Sequence, residues 1–275
     1  MSSWTCSLTM NCTSKTALVT GGSSGIGRCT ALALRDAGCT VYELSRHDAG
    51  LPGVTHLTAD VTDEAAVAAA VAAVLEREGR IDLVVNCAGF GISGAVEFTD
   101  TADAVRQFDV NFFGMVRVNH AVLPAMRRQG SGRIVNISSV AAAAAIPFQP
   151  YYSASKAAIN SYTCALANEV RPYGVTVTAV QPGDIATGFT DARKKTMAGD
   201  EEYGGRIARS VAGMEKDERE GMKPETAGAY ICRIALKKRV KPLYAIGFAY
   251  KAACVLCQIL PCRLRNWLIG LIYAR

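Results

Sequence analysis

The chain alternates short β-branched, apolar runs with longer stretches of helical spacing, and a glycine-rich turn joins the first such pair. Lys15–Thr20 reads as a buried strand; residues 25–37 follow with helical apolar spacing, and Gly38 stands where a helix C-cap belongs. Further strands are expected at 39–45, 54–58, 81–86, 132–138, 174–181 and 243–247. Helices are expected at 63–78, 101–128, 151–171 and 225–237, the first with Val67, Val71 and Val74 in one stripe. Near-continuous apolar strands separated by helices demand a parallel sheet covered on both faces. The spacing predicts an α/β fold, a single doubly wound Rossmann-type domain.

Length and composition agree with one domain. Of 275 residues, 50% are hydrophobic and 20% charged, a globular balance without repeats or linkers. Ten cysteines are scattered along the chain, several inside apolar runs where a thiol packs as a small hydrophobe. Cys254, Cys257 and Cys262 form a short string, but no histidine or second cysteine pair completes a ligand set, so no metal site is expected. The first 14 residues read as an extension without the basic and apolar regions of a secretory signal, which points to a cytoplasmic protein. Asn11-Cys12-Thr13 fits the glycosylation pattern but has no meaning in that compartment.

Charge is uneven. Tyr230–Arg275 carries nine Lys/Arg and no Asp/Glu, leaving 21 basic against 24 acidic residues elsewhere. Residues 248–275 form a basic, apolar tail in which Pro261 interrupts the apolar run, so neither piece reaches the roughly 20 residues of a membrane span. Packing over the pocket or a subunit interface is the expected role; peripheral contact with anionic lipid is the alternative. Nucleic acid is not an expected partner, since no binding motif accompanies the basic residues.

Thr20-Gly21-Gly22-Ser23-Ser24-Gly25-Ile26-Gly27 lies between the first strand and first helix. Glycines there allow a tight turn and close backbone approach to a pyrophosphate, and the helix N-terminus offers free N–H groups. Asp60-Val61, Asn86-Cys87-Ala88-Gly89, Ser139 with Tyr152-x3-Lys156, and Pro182-Gly183-x3-Thr187 follow in order. Together these motifs resemble the short-chain dehydrogenase/reductase family over nearly the whole chain, closest in look to 17β-hydroxysteroid and retinol dehydrogenase-like members. The departure is Cys87, where the family more often has asparagine.

The resemblance implies a nicotinamide cofactor held by Gly21, Ser23, Ser24, Gly25, Ile26 and Gly27, with Asp60 and Val61 bordering adenine. It adds Asn86, Ala88 and Gly89 on the nucleoside side, and Pro182, Gly183, Ile185 and Thr187 at the nicotinamide end. The second strand ends Glu43-Leu44-Ser45-Arg46, with Ser45 where an acid would hold the 2′-hydroxyl of NAD. Arg46 suits a 2′-phosphate, so NADP(H) is the expected cofactor, with NAD(H) as the alternative.

Tyr152 and Lys156 lie four residues apart on one helical face, whereas neighbouring Tyr151 has no lysine at that spacing. A free phenol has a pKa of about 10, and a nearby ammonium favours its ionised form. By resemblance Tyr152 exchanges the proton, Lys156 lowers the tyrosine's pKa and holds the nicotinamide ribose, and Ser139 polarises the substrate carbonyl. Asn111 completes the relay. Tyr152 and Lys156 thus count in both the catalytic and the cofactor-binding sets.

The expected activity interconverts a ketone and a secondary alcohol on a bulky, apolar, steroid-like substrate. A 3-ketosphinganine, 3-oxoacyl or retinal-type lipid carbonyl reductase is the alternative, and a non-enzymatic NADP-binding regulator or scaffold is the competing class. Pocket walls are expected at 90–95 and 140–149, with a lid over about 184–223 inside a catalytic unit of 15–247. The family implies a homodimer or homotetramer.

Overall fold

The computed structural model describes residues 15–274. The expectations for the first 14 residues, the Asn11 triad among them, lie outside that range. β1 (Thr16–Thr20), β2 (Thr40–Ser45), β3 (Thr55–Thr58), β4 (Leu83–Asn86), β6 (Gly132–Ile137), β7 (Val175–Gln181) and β9 (Leu243–Ala245) form one parallel sheet. A separate parallel pair, β5 (Ile92–Ser93) and β8 (Lys194–Lys195), stands apart from it. The large sheet runs β3-β2-β1-β4-β6-β7-β9, so the strand order reverses between β1 and β4 and opens a crevice at their carboxyl ends.

Alternate side chains of each strand enter opposite faces. Ala17, Val19, Val41, Val85 and Val135 meet α1 (Gly25–Asp36) and α8 (Pro224–Leu236) through Ala31, Leu34, Ile231 and Ala235. Leu18, Leu44, Val84 and Ile134 meet α2 (Glu64–Glu78), α4 (Gly114–Gln129) and α5 (Pro150–Val170). The Val67, Val71 and Val74 stripe of α2 is buried as its spacing requires. Asp63 caps that helix by accepting from Ala66 N at 3.0 Å. Helices α1 and α8 approach at Gly228, where a β-carbon would stand 2.6 Å from the Cys29 carbonyl carbon.

One expected helix is three pieces. Between α3 (Thr101–Phe108) and α4, residues Asp109–Phe113 form a π turn that carries Asn111 into the interior. The segment after β7 is not a bare loop but holds α6 (Phe189–Ala192), β8 and α7 (Arg206–Arg219). The tail is α9 (Phe248–Ile259) and α10 (Cys262–Tyr273), broken at Pro261 as its sequence requires. No helix among the described residues is long and apolar enough to cross a membrane.

Candidate active site

The crevice is walled first by the turn after β1. Gly21 and Gly25 adopt left-handed backbone (φ +64° and +53°), and a β-carbon on Gly27 would lie 2.2 Å from Gly21 O. A β-carbon on Gly21 would itself come 2.9 Å from the Ala88 backbone, so the turn and the end of β4 touch directly. Thr20 Oγ1 fastens them by accepting from Cys87 N and Ala88 N at 3.1 and 3.2 Å. Helix α1 has neither a side-chain cap at Ser24 nor an acidic residue in its first turn. Uncapped N–H groups beside a backbone cradle are what a pyrophosphate needs, and the residues present fit a dinucleotide.

Other expected contacts close the same crevice. Thr187 stands 3.7 Å from where a Gly25 β-carbon would be, so the segment after β7 folds back over the glycine turn. Asp60 accepts from Thr62 N and Oγ1; burial pushes its carboxyl up, but these bonds and the charges of Arg46 and Arg106 hold it below its ordinary range. Exposed Arg46 therefore lies within electrostatic reach of Asp60. Ser45 is buried and donates to His47 O at 2.9 Å, and Val61 packs beneath Gly114. Asn86 ends β4 with a buried side chain. Its amide donates to Asn119 Oδ1 at 2.8 Å and Asn136 Oδ1 at 2.9 Å, a buried ladder that ties β4 to α4 and β6.

The four catalytic candidates converge. Ser139, just after β6, hydrogen-bonds Tyr152, and its Oγ accepts from Ala141 N at 3.1 Å. Lys156 Nζ donates to Ile137 O at 2.8 Å and lies 5.6 Å from the Tyr152 ring centroid. Asn111 Oδ1 accepts from Phe90 N at 2.9 Å, while its Nδ2 donates to Phe90 O at 3.0 Å and Ser155 Oγ at 3.3 Å. A β-carbon on Gly89 would lie 3.1 Å from Asn111 Oδ1 and 3.7 Å from Lys156 Nζ, so that glycine keeps the two side chains accessible to one another.

Burial governs the titration of this group. It pushes the Tyr152 phenol up to about 12, against the lowering effect of the Ser139 hydrogen bond. It also draws the Lys156 ammonium down to about 8. The Cys87 thiol is pushed up to about 12, so it stays a packed thiol beside the site. A neutral phenol is the form that donates a proton, which suits the reducing direction.

The expected walls meet in a small second core. Ala95, Ile207, Val211 and Met214 pack with Ile146, Phe148, Tyr203 and Tyr273, joining the segment after β4, the segment after Ser139, the lid and the tail. Lys194 N donates to Gly91 O and Thr196 N to Ser93 O, both at 3.0 Å, which binds the lid to the first wall. Phe189 of α6 reaches Tyr152, ring to ring, at 5.7 Å. The sequence reading missed Tyr250 of α9. Its ring covers Gly183, and its hydroxyl donates to Asp184 Oδ2 and accepts from Asp184 N. The tail thus packs by one face on Gly183 and Asp184.

Comparison with known proteins agrees with this geometry. The family model described as short chain dehydrogenase matches residues 15–198. A 3-ketodihydrosphingosine reductase of Bacteroides thetaiotaomicron is 42% identical over 84% of this chain and 90% of its own. Dehydrogenase/reductase SDR family member 7B of Xenopus tropicalis is 30% identical over 89% of this chain and 81% of its own. The crystal structure of a Streptomyces avermitilis short-chain dehydrogenase superposes with a TM-score of 0.77 at 32% identity, covering 88% of this chain and 91% of that one.

Two outcomes follow from the site. Tyr152→Phe is expected to lower turnover about a thousandfold or more, while NADPH binding followed by fluorescence persists; substantial residual turnover would place proton transfer elsewhere. Because Lys156 titrates near 8, below a free lysine, its ammonium is lost as pH rises through that value. The kcat/KM for NADPH is therefore expected to hold near neutrality and fall above about pH 8 while the phenol stays protonated. A flat profile to about pH 10 would show that the ammonium is not required.

Proposed function

The chain belongs to the short-chain dehydrogenase/reductase family of nicotinamide-dependent oxidoreductases, and we propose that it uses NADPH to reduce the ketone of a long-chain lipid of the 3-ketodihydrosphingosine type. The observation that carries this reading is the 42% identity, over 84% of the chain, to a reductase of that name. It favours the sphingoid alternative over the hydroxysteroid activity expected first from the sequence. The small apolar core joining lid, walls and tail supports a hydrophobic substrate.

When bound, reduced nicotinamide supplies the hydride. The Gly21–Gly27 backbone and the α1 N-terminus hold the pyrophosphate, and Lys156 and Thr187 hold the nicotinamide end. Ser139 and Tyr152 bind the carbonyl oxygen, and Tyr152 releases its proton there as negative charge develops. The Lys156 ammonium near the ring stabilises the phenolate left behind. Asn111 orients this group from the π turn. Arg46, beyond a strand end where Ser45 replaces an acid, favours the 2′-phosphate.

The decisive test is NADPH oxidation over sphingoid, steroid, retinoid and acyl ketones. The sphingoid ketone is expected to lead by about tenfold in kcat/KM, and Arg46→Ala to cost NADPH about tenfold while sparing NADH. A steroid lead, or an NADH preference in the parent protein, would overturn the corresponding half of the reading.

A lipid substrate also gives the tail's outer face a role as a membrane-surface contact. Phe248, Ile259, Trp267 and Ile272 are 88%, 72%, 58% and 69% exposed. Lys251, Arg263 and Arg265 accompany them, with no Asp or Glu between 248 and 275. The full chain is expected to float with anionic vesicles, and Phe248→Glu with Ile259→Glu to abolish flotation. Failure of the parent chain to float would remove the membrane role.

A further inference from the structure

The lid carries a buried polar group beside Tyr152 that the proton transfer does not use. Arg193 is only 4% exposed, yet its Nε and Nη1 have no hydrogen-bond partner among the described residues. Its Nη2 pairs with Glu218 Oε1, and the other Glu218 oxygen accepts from Thr190 Oγ1 at 2.7 Å. The guanidinium lies 5.6 Å from the Phe189 ring, which in turn lies 5.7 Å from that of Tyr152. From the opposite wall Gly91 approaches so closely that a β-carbon there would stand 3.3 Å from Arg193 Nε. Desolvated donors left open in this way are costly, and a ligand that supplies the acceptor resolves the cost.

The surrounding charge narrows the ligand. Asp184 lies within electrostatic reach of Asp217 and Glu218, and Arg193 is the countercharge that reaches it with them. Tyr152 senses Glu218, Arg193 and Asp184 together, which places this cluster at the reacting end of the pocket. A second anion is repelled by the carboxylates, and an uncharged steroid ring leaves them unanswered. A head that combines a cation with a hydrogen-bond acceptor satisfies both.

We propose that Arg193 and Glu218 are the specificity-determining pair for the substrate's polar head: the open guanidinium N–H groups donate to a head oxygen, and Glu218, with Asp184, holds a cationic amine next to the reacting carbon. This rests on the sphingoid reading above and gives it residues. 3-Ketodihydrosphingosine has an amine on the carbon beside its ketone and a hydroxyl one carbon further, the two groups this site is built to receive. Phe189, between the pair and Tyr152, sets the distance between head and carbonyl.

The experiment measures kcat/KM with saturating NADPH for 3-ketodihydrosphingosine and for an unsubstituted straight-chain ketone of equal length. The parent chain is compared with Arg193→Met, Arg193→Lys, and the charge-neutral double variant Arg193→Met, Glu218→Gln. The double variant removes both partners of the buried Arg193–Glu218 pair, so neither is left without the other, and NADPH binding verifies that each protein is folded. The parent protein is expected to prefer the amino-hydroxy ketone by about a hundredfold, two to three kcal/mol of charge-assisted bonding. In both Met variants that ratio falls tenfold or more, and Arg193→Lys, which keeps the charge without the planar fork, recovers part of it. Equal losses on both ketones would show a structural clamp of the lid and overturn the pair while sparing the sphingoid reading. A parent protein without preference for the amino-hydroxy ketone overturns both.

Discussion

A β-carbon has no place where the first turn meets the end of β4, and the rest of the site is arranged around that contact. Gly27 lies against the Gly21 carbonyl, Gly21 against the Ala88 backbone, and Thr20 Oγ1 joins the two segments. The contact brings the N-terminus of α1 to the point where the strand order reverses, the one place where a parallel sheet leaves an open crevice. From there the register Thr20↔Asn86↔Asn136 carries alignment across to β6, whose end presents Ser139. The glycine turn and Ser139 are therefore fixed by one set of strand pairings.

The second determinant is desolvation. Tyr152 and Lys156 are adjacent on α5, yet the interior moves their proton affinities in opposite directions, the phenol to about 12 and the ammonium to about 8. Both shifts come chiefly from burial, because a low-dielectric site disfavours the charged form of either group. The lysine was expected to ease ionisation of the tyrosine. At the tyrosine burial outweighs the lowering effects of the Ser139 hydrogen bond and of Arg193, and the phenol keeps its proton. A phenol that keeps its proton is the form able to donate one.

The sheet, most helices and the convergence of Ser139, Tyr152 and Lys156 were legible because their signals are local. Apolar runs with β-branched residues marked the strands, and Tyr152 with Lys156, or Gly21 with Gly25 and Gly27, fall within a single turn of chain. The remainder depends on partners distant in sequence. Asn86 meets Asn119 and Asn136 across 33 and 50 residues, Tyr250 meets Asp184 across 66, and Arg193 meets Glu218 across 25. No spacing rule connects such pairs. The π turn at 109–113 was hidden for a different reason. One extra residue in a helical turn leaves the apolar spacing on either side almost unchanged, yet it is what places Asn111 beside Phe90 and Ser155.

This division between local and distant signals follows the division of labour in the site. The glycine turn and the Tyr152–Lys156 pair need groups at fixed offsets on rigid elements, whereas the segment after β7 and the tail are held by contacts between residues distant in sequence. Here Met222 N donates to Asp184 O and Ala186 N donates to Met222 O, Tyr250 closes over Gly183, and Tyr273 joins the small core of Ala95, Ile207, Val211 and Met214. The tail therefore braces the lid from outside while Phe189 and Arg193 face the tyrosine from within. Movement of the tail would be felt first at Asp184, whose carboxylate belongs both to the Tyr250 contact and to the charge cluster beside Tyr152. The inner face of α9 is thus joined through Tyr250 to Asp184, on which Asp217, Glu218 and Arg193 also act.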